Sequence, residues 1–393
     1  MNRQSIYYFD NNATTRVAPE VVDAMIPFLR DLWGNPSSVY YFGKQVAKHI
    51  EKARQQVAAL INAEPRDIVF TSCGTESNNS AIHSALVSHP TKRHVITTAV
   101  EHSANIKFCA ALKKRGYDVT LIPVEPDGSI DIHLLEKSIR RDTAIVSVMW
   151  ANNETGVIFP VEELAAICRS KGVLFHTDAV QTPGKLKIDV QDLGADFLSL
   201  SAHKLHAPKG IGLLYVKHKT KYQSYVTGGG QEQGRRGGTE NVASIVGFGR
   251  AAELAMTHLK EENSRVRALR DKLEDGILNQ ISGTYRNGSK QHRLPNTANV
   301  SFTGIEAENL LHALDNVGIC VSSGSACTSG SLDPSHVLMA MGCTVARARG
   351  SIRFSLGIYN TETEVDYVLK HLPPIIAKLR ALSPKPKDHK IAA

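Results

Sequence analysis

Seven short runs rich in β-branched residues alternate with helical stretches between about residues 65 and 216, a pattern that admits few arrangements beyond a mainly parallel sheet covered by helices. The runs are Asp67–Ser72, His94–Val100, Asp118–Ile122, Thr143–Met149, Val173–Thr177, Asp196–Ser201 and Ile211–Val216. Several, such as Ala144–Met149, are apolar on both faces, as strands enclosed between helices must be. The expected class is therefore α/β with a seven-stranded sheet. Past Gly228–Gly230 a long helical pattern starts near Asn241 and runs through Glu261, Glu262, Arg265 and Arg267, a bridge to further structure. Strand candidates at Asn299–Phe302, Ile319–Ser322 and Ser351–Ser355 then predict a smaller α+β domain. A chain of 393 residues, 42% of them hydrophobic, is long enough for two cores.

Several function classes are disfavoured at once. No run approaches the roughly 18 consecutive apolar residues of a membrane span, and the first ten residues lack a basic head before an apolar stretch, so a cytoplasmic protein without a membrane partner is expected. The six cysteines form no C-x-x-C pair, which argues against a zinc site or a disulfide framework, and no metal of the protein's own is expected. The formal charge of +8 lies partly in the polar tail Lys385–Lys390 and not in a basic stripe interleaved with aromatics, so nucleic acid is not an expected partner.

Ligands of open parallel sheets bind just beyond the carboxyl ends of the strands, and here those positions are unusually polar. They carry Cys73–Ser77, Glu101 and His102, Asn152–Gly156, Asp178 with Gln181, and Ser201–Lys204. Gly74 and Thr75, opening a helix, suit a phosphate, although Thr75 serves equally as a plain N-cap. Ser201, His203 and Thr239 could complete a phosphate cup. Lys204 at the tip of an apolar strand is either a solvated loop lysine or, if desolvated, a nucleophile able to form a Schiff base with a carbonyl cofactor. Asp178 would then protonate the far end of a pyridine ring and make it a better electron sink; alone it reads as a helix N-cap. His102 could stack on such a ring and exchange protons, and Gln181 and Asn153 could bond a ring hydroxyl or a substrate carboxylate.

Two further residues stand out. The segment Ser322–Ser331 is built of small residues with nothing large to pin it, which predicts a flexible loop carrying Cys327, while the other five cysteines fall in or beside helix or strand patterns as small apolar residues. Arg353 interrupts a strand-like run; such an arginine usually points to solvent, but on a cleft it would clamp a carboxylate. Arg347 and Arg349 read as surface charges.

The motifs Asp10–Thr15, Gly34–Ser38, Ser201–Lys204, Pro208–Gly210 and Ser322–Ser331 resemble those of the NifS/IscS-type cysteine desulfurases over nearly the whole length, and Val148–Gly156 with His206–Gly210 is most similar to the NifS branch. The resemblance implies a fold type I pyridoxal 5'-phosphate enzyme, a homodimer, a large cofactor-binding domain over 13–258, and a small domain made of 1–12 and 259–393. It implies Lys204 as the cofactor lysine, His102 as the ring-stacking histidine, and Asp178 and Gln181 as partners of the ring nitrogen and hydroxyl. It gives Thr75, Ser201 and His203 to the phosphate, with Thr239 lent across the dimer. Asn153 and Arg353 fall to the substrate carboxylate and Cys327 to the persulfide. The implied activity converts L-cysteine to L-alanine and supplies sulfur to an iron–sulfur scaffold or other acceptor protein, Cys327 touching a cluster only transiently. Selenocysteine lyase and cysteine sulfinate desulfinase are the alternatives. Gln231, Arg349 and Ile358 depart from the pattern, which often has histidine, histidine and arginine there; none replaces a catalytic group.

Overall fold

The computed structural model describes residues 5–324 and 333–382. The expected loop around Cys327 and the basic tail lie outside the described residues.

All seven strands expected between residues 65 and 216 form one sheet, in the order Ile68–Thr71, Gly212–Val216, Phe197–Ser201, Leu174–Asp178, Thr143–Ser147, His94–Thr98, Asp118–Ile122. Gly212–Val216 is antiparallel to both neighbours and the rest run parallel. Because side chains alternate along a strand, Ile68, Phe70, Leu213 and Tyr215 enter the large core on one face, whereas Val69, Leu214 and Val216 pack with Ala81, Ile82 and Ala85 on the other. Helices on both faces explain why these strands are mostly apolar, and the polar residues inside them, such as His94, Thr143, His176 and Ser199, are bonded to one another across strands.

The bridging helix begins at its Asn241 cap, spans Val242–Glu261, passes through a five-residue π-turn at Glu262–Val266 and continues as Arg267–Gln280. Beyond it Ser322–Ser323, Ser351–Ser355, Thr297–Phe302 and Thr284–Arg286 make an antiparallel sheet. A separate apolar cluster forms here from Phe9, Val266, Leu273, Val300, Phe302, Leu310, Phe354 and Val368. The N-terminal segment ties the two regions together. Tyr7–Tyr8 pairs with Ile319–Cys320, Asp10 bridges Ser355, and the chain then crosses so that Thr15 N–H donates to the His203 carbonyl (2.9 Å). Arg347, expected as a surface charge, is instead half-buried, donating to Asn287 Oδ1 and the Arg286 carbonyl. Among the described residues no helix is long and apolar enough to cross a membrane.

Inside the sheet His176 spans three strands, its ring nitrogens bonded to the hydroxyls of Ser147 (2.8 Å) and Ser199 (2.9 Å). Neutral imidazole suits two hydroxyls, and burial lowers its pKa to about 3. In the unfolded chain it titrates near its ordinary value of about 6.5. The unfolded state therefore takes up a proton first as pH falls, so this contribution is present above about pH 6.5 and is lost as pH drops toward the folded pKa. Thermal melts between pH 7 and pH 4 should show a falling Tm, the fall being smaller in His176→Gln. Equal pH slopes in the two proteins would refute it.

Candidate active site

The strand order sets the carboxyl ends of Phe197–Ser201, Leu174–Asp178, Thr143–Ser147 and His94–Thr98 side by side, and a cavity of about 490 Å³ opens beyond them, closed on one side by the residues that follow Ile68–Thr71. Its wall contains Gly74, Thr75, His102, Asn153, Asp178, Gln181, Ser201, His203, Lys204 and Arg353. Ten of the expected site residues thus converge. Thr239 does not line it and is exposed on this chain.

Lys204 ends a short 3₁₀ turn after the strand Phe197–Ser201, and its Nζ donates to the main-chain carbonyls of Asn12 (2.5 Å) and Ala13 (2.8 Å). It is a held lysine and not a solvated loop residue. His203 bonds the Thr14 hydroxyl (3.2 Å), and burial, with Lys204 and Lys209 nearby, lowers its pKa to about 4. Asp178 caps no helix: Oδ2 accepts from Asn78 Nδ2 (2.6 Å) and Oδ1 from the Val180 N–H (3.0 Å).

The helix Gly74–Ser88 starts at this cavity with Cys73 in the cap position and no side-chain cap, so its N-terminal dipole end is left for a ligand. Thr75 lies inside the first turn and is not the cap. Gly74 is required for close approach, since a Cβ there would stand 2.7 Å from Val180 Cγ2. His102 caps the next helix, its Nδ1 accepting from the Ala104 N–H (3.2 Å). Burial lowers its pKa against the pull of Asp178, and the neutral ring carries its proton on Nε2. Gln181 donates to the Asn12 carbonyl (3.1 Å), which leaves its buried Oε1 without a partner among the described residues.

Arg353 does not point to solvent. It is 4% exposed, with Nη2 on Asp10 Oδ1 (2.7 Å), Nη1 on the Asn153 carbonyl (2.9 Å), and a buried Nε without a partner among the described residues. Two buried carboxyls lie behind this wall, both raised by desolvation. Burial raises Glu101 to about 8, where it accepts from Thr98, Met149 N–H and Asn105. Glu154, also buried, is raised to about 7 and accepts from the Ser335 hydroxyl (2.5 Å).

Sequence reasoning gave no role to Asp10, Asn12, Cys73 or Asn78, all on this wall. Asn78 was findable, lying four residues after Gly74 and so on the same helix face. Asp10 and Asn12 arrive from the far end of the chain. Cys73, expected as a small core residue, is half-buried beside Gly74.

The family model for aminotransferase class-V matches residues 7–368. The chain belongs to the class-V aminotransferase family. It is 53% identical over 384 residues to cysteine desulfurase 2 of Trichormus variabilis, covering 98% of this chain and 96% of the relative. Identity to the cysteine desulfurase NifS of Azotobacter vinelandii is 52% over 378 residues, 96% of this chain and 94% of that protein. A solved NifS-like protein superposes with a TM-score of 0.89 at 42% identity, covering 94% of this chain and 99% of its own. These relatives span the large sheet, the bridging helix and the small sheet alike, so the class-V assignment holds for the whole described fold.

Proposed function

We propose that the chain is a pyridoxal-phosphate-dependent cysteine desulfurase, converting L-cysteine to L-alanine and taking the sulfur on Cys327 as a persulfide. The observation that carries this reading is the convergence of Lys204, Asp178, His102 and an uncapped helix N-terminus on one cavity. The residues fit the cofactor: the uncapped turn at Gly74 and Thr75, with Ser201 and His203, suits a phosphate, and the orphaned Gln181 Oε1 suits a ring hydroxyl. When bound, the cofactor supplies an electron sink for a carbanion at the substrate Cα. Asp178 holds a proton on the ring nitrogen, Lys204 accepts the Cα proton, and neutral His102 offers its Nε2–H. Asn153 and Arg353 orient the substrate carboxylate. The Cys327 thiolate then forms an S–S bond to the substrate sulfur as the C–S bond breaks, and the electron pair left on carbon is protonated to give alanine.

The same reading takes 13–258 as the large domain and 1–12 with 259–393 as the small one, in a homodimer to which Thr239 contributes across the interface, with an iron–sulfur scaffold as sulfur acceptor. The separate apolar cluster around Phe9, Val300 and Phe354 supports that division.

Incubation with L-cysteine, with and without reductant, should yield alanine and sulfide in step, with a persulfide mapped to Cys327 by mass spectrometry. Absence of alanine would sink the proposal. Asp178→Asn should keep the fold but lose a charge-assisted hydrogen bond to the ring, about 1.5–3 kcal/mol or on the order of ten- to hundredfold in kcat. A wild-type kcat in that variant would remove Asp178 from the mechanism.

A further inference from the structure

Behind Lys204 lies a second cavity of about 250 Å³, and among the described residues Lys204 is the one common to its lining and that of the active-site cavity. It is lined by Lys185, His206, His258 and Glu262 together with apolar residues such as Leu254 and Ala255. Lys185 and Glu262 are 5% and 6% exposed, yet no ion pair joins them, and Glu262 Oε2 has no hydrogen-bond partner among the described residues. Buried charges in a space of this size are satisfied by water, several molecules of which fit here.

The backbone marks the same place. Glu262 opens the π-turn that interrupts the bridging helix, and Asn263 from that turn donates to the Lys185 carbonyl (2.8 Å). Such single-turn π segments are rare and occur frequently at functional sites. The wall on the solvent side carries His258, half-exposed and bonded to Glu261 (3.2 Å), so ionisable groups continue from the interior to the surface.

This inference rests on the reading of Lys204 as the proton-transferring lysine. Once cofactor and substrate fill the front cavity, the lysine is cut off from water on that side. We propose that the rear cavity is a water-filled relay through which Lys204 exchanges protons with solvent, Glu262 being the buried carboxyl that passes them. Each passage moves one proton inward as one leaves, with no electrons transferred and no net change in charge. Burial, opposed by Lys185, raises the Glu262 carboxyl to about 7, so at neutral pH it can both accept and release a proton.

The test uses holoenzyme and L-alanine in D₂O, following replacement of the Cα hydrogen by NMR. Two variants approach the relay differently: Glu262→Gln removes the titrating group, and Ala255→Leu fills the cavity while leaving every charge in place. Both should retain the visible absorbance of bound cofactor and the KM for L-alanine, while Cα exchange slows on the order of tenfold or more. Exchange at the wild-type rate in both would overturn the relay. Should Glu262→Gln not fold, Ala255→Leu alone decides it. Failure of the wild-type protein itself to bind cofactor or exchange the Cα hydrogen would overturn the desulfurase reading, and the relay with it.

Discussion

Lys204→Ala is expected to abolish turnover of L-cysteine and to leave the purified protein without the visible absorbance of a lysine-bound cofactor. The loss has two parts. The covalent anchor disappears, and so does the group that accepts the Cα proton, whose removal alone typically costs about 10²–10⁴-fold in rate. A structural part must be separated from both, because Nζ also ties down the Asn12 and Ala13 carbonyls. Lys204→Arg serves for that: it keeps a cation and N–H donors but cannot form a Schiff base under these conditions. Arginine should preserve the melting temperature and still give no turnover. Retention of alanine formation in either variant would show that another residue carries the chemistry.

The second large effect concerns sulfur. Cys327→Ala should bind L-cysteine normally yet lose persulfide formation and alanine release on the order of 10³-fold or more, as removal of a nucleophile does elsewhere. The structure supplies a competitor for the role, since Cys73 sits on the cavity wall beside Gly74. Peptide mapping after a single turnover separates the two thiols. A persulfide found on Cys73, or undiminished alanine release from Cys327→Ala, would reverse the assignment.

The large sheet was legible in the sequence because strands buried on both faces read as unbroken apolar runs, and all seven appear in the structure. The antiparallel course of Gly212–Val216 was not, since an apolar run has no direction. At the cavity, residues directly after a strand announced themselves as polar breaks: His102, Asp178, Gln181 and Lys204 all did so. Arg353 could be read both ways, because its place on the cavity wall depends on partners distant in sequence, the Asn153 carbonyl and Asp10. Asp10 and Asn12 belong to the motif Asp10–Thr15, but their place on the wall depends on contacts hundreds of residues away and was not legible locally. The raised titration of Glu101 and Glu154 was equally silent, since burial is its main cause.

That N-terminal segment has a consequence for biosynthesis. Its pairings reach forward to Ile319–Cys320 and to Ser355, while its carbonyls hold Lys204. On the ribosome the large sheet can be complete long before those partners emerge, but residues 7–12 then have no strand to join. The carbonyl clasp on Lys204 therefore closes only after residues up to Ser355 have emerged, and a nascent chain shorter than that stays chemically unready.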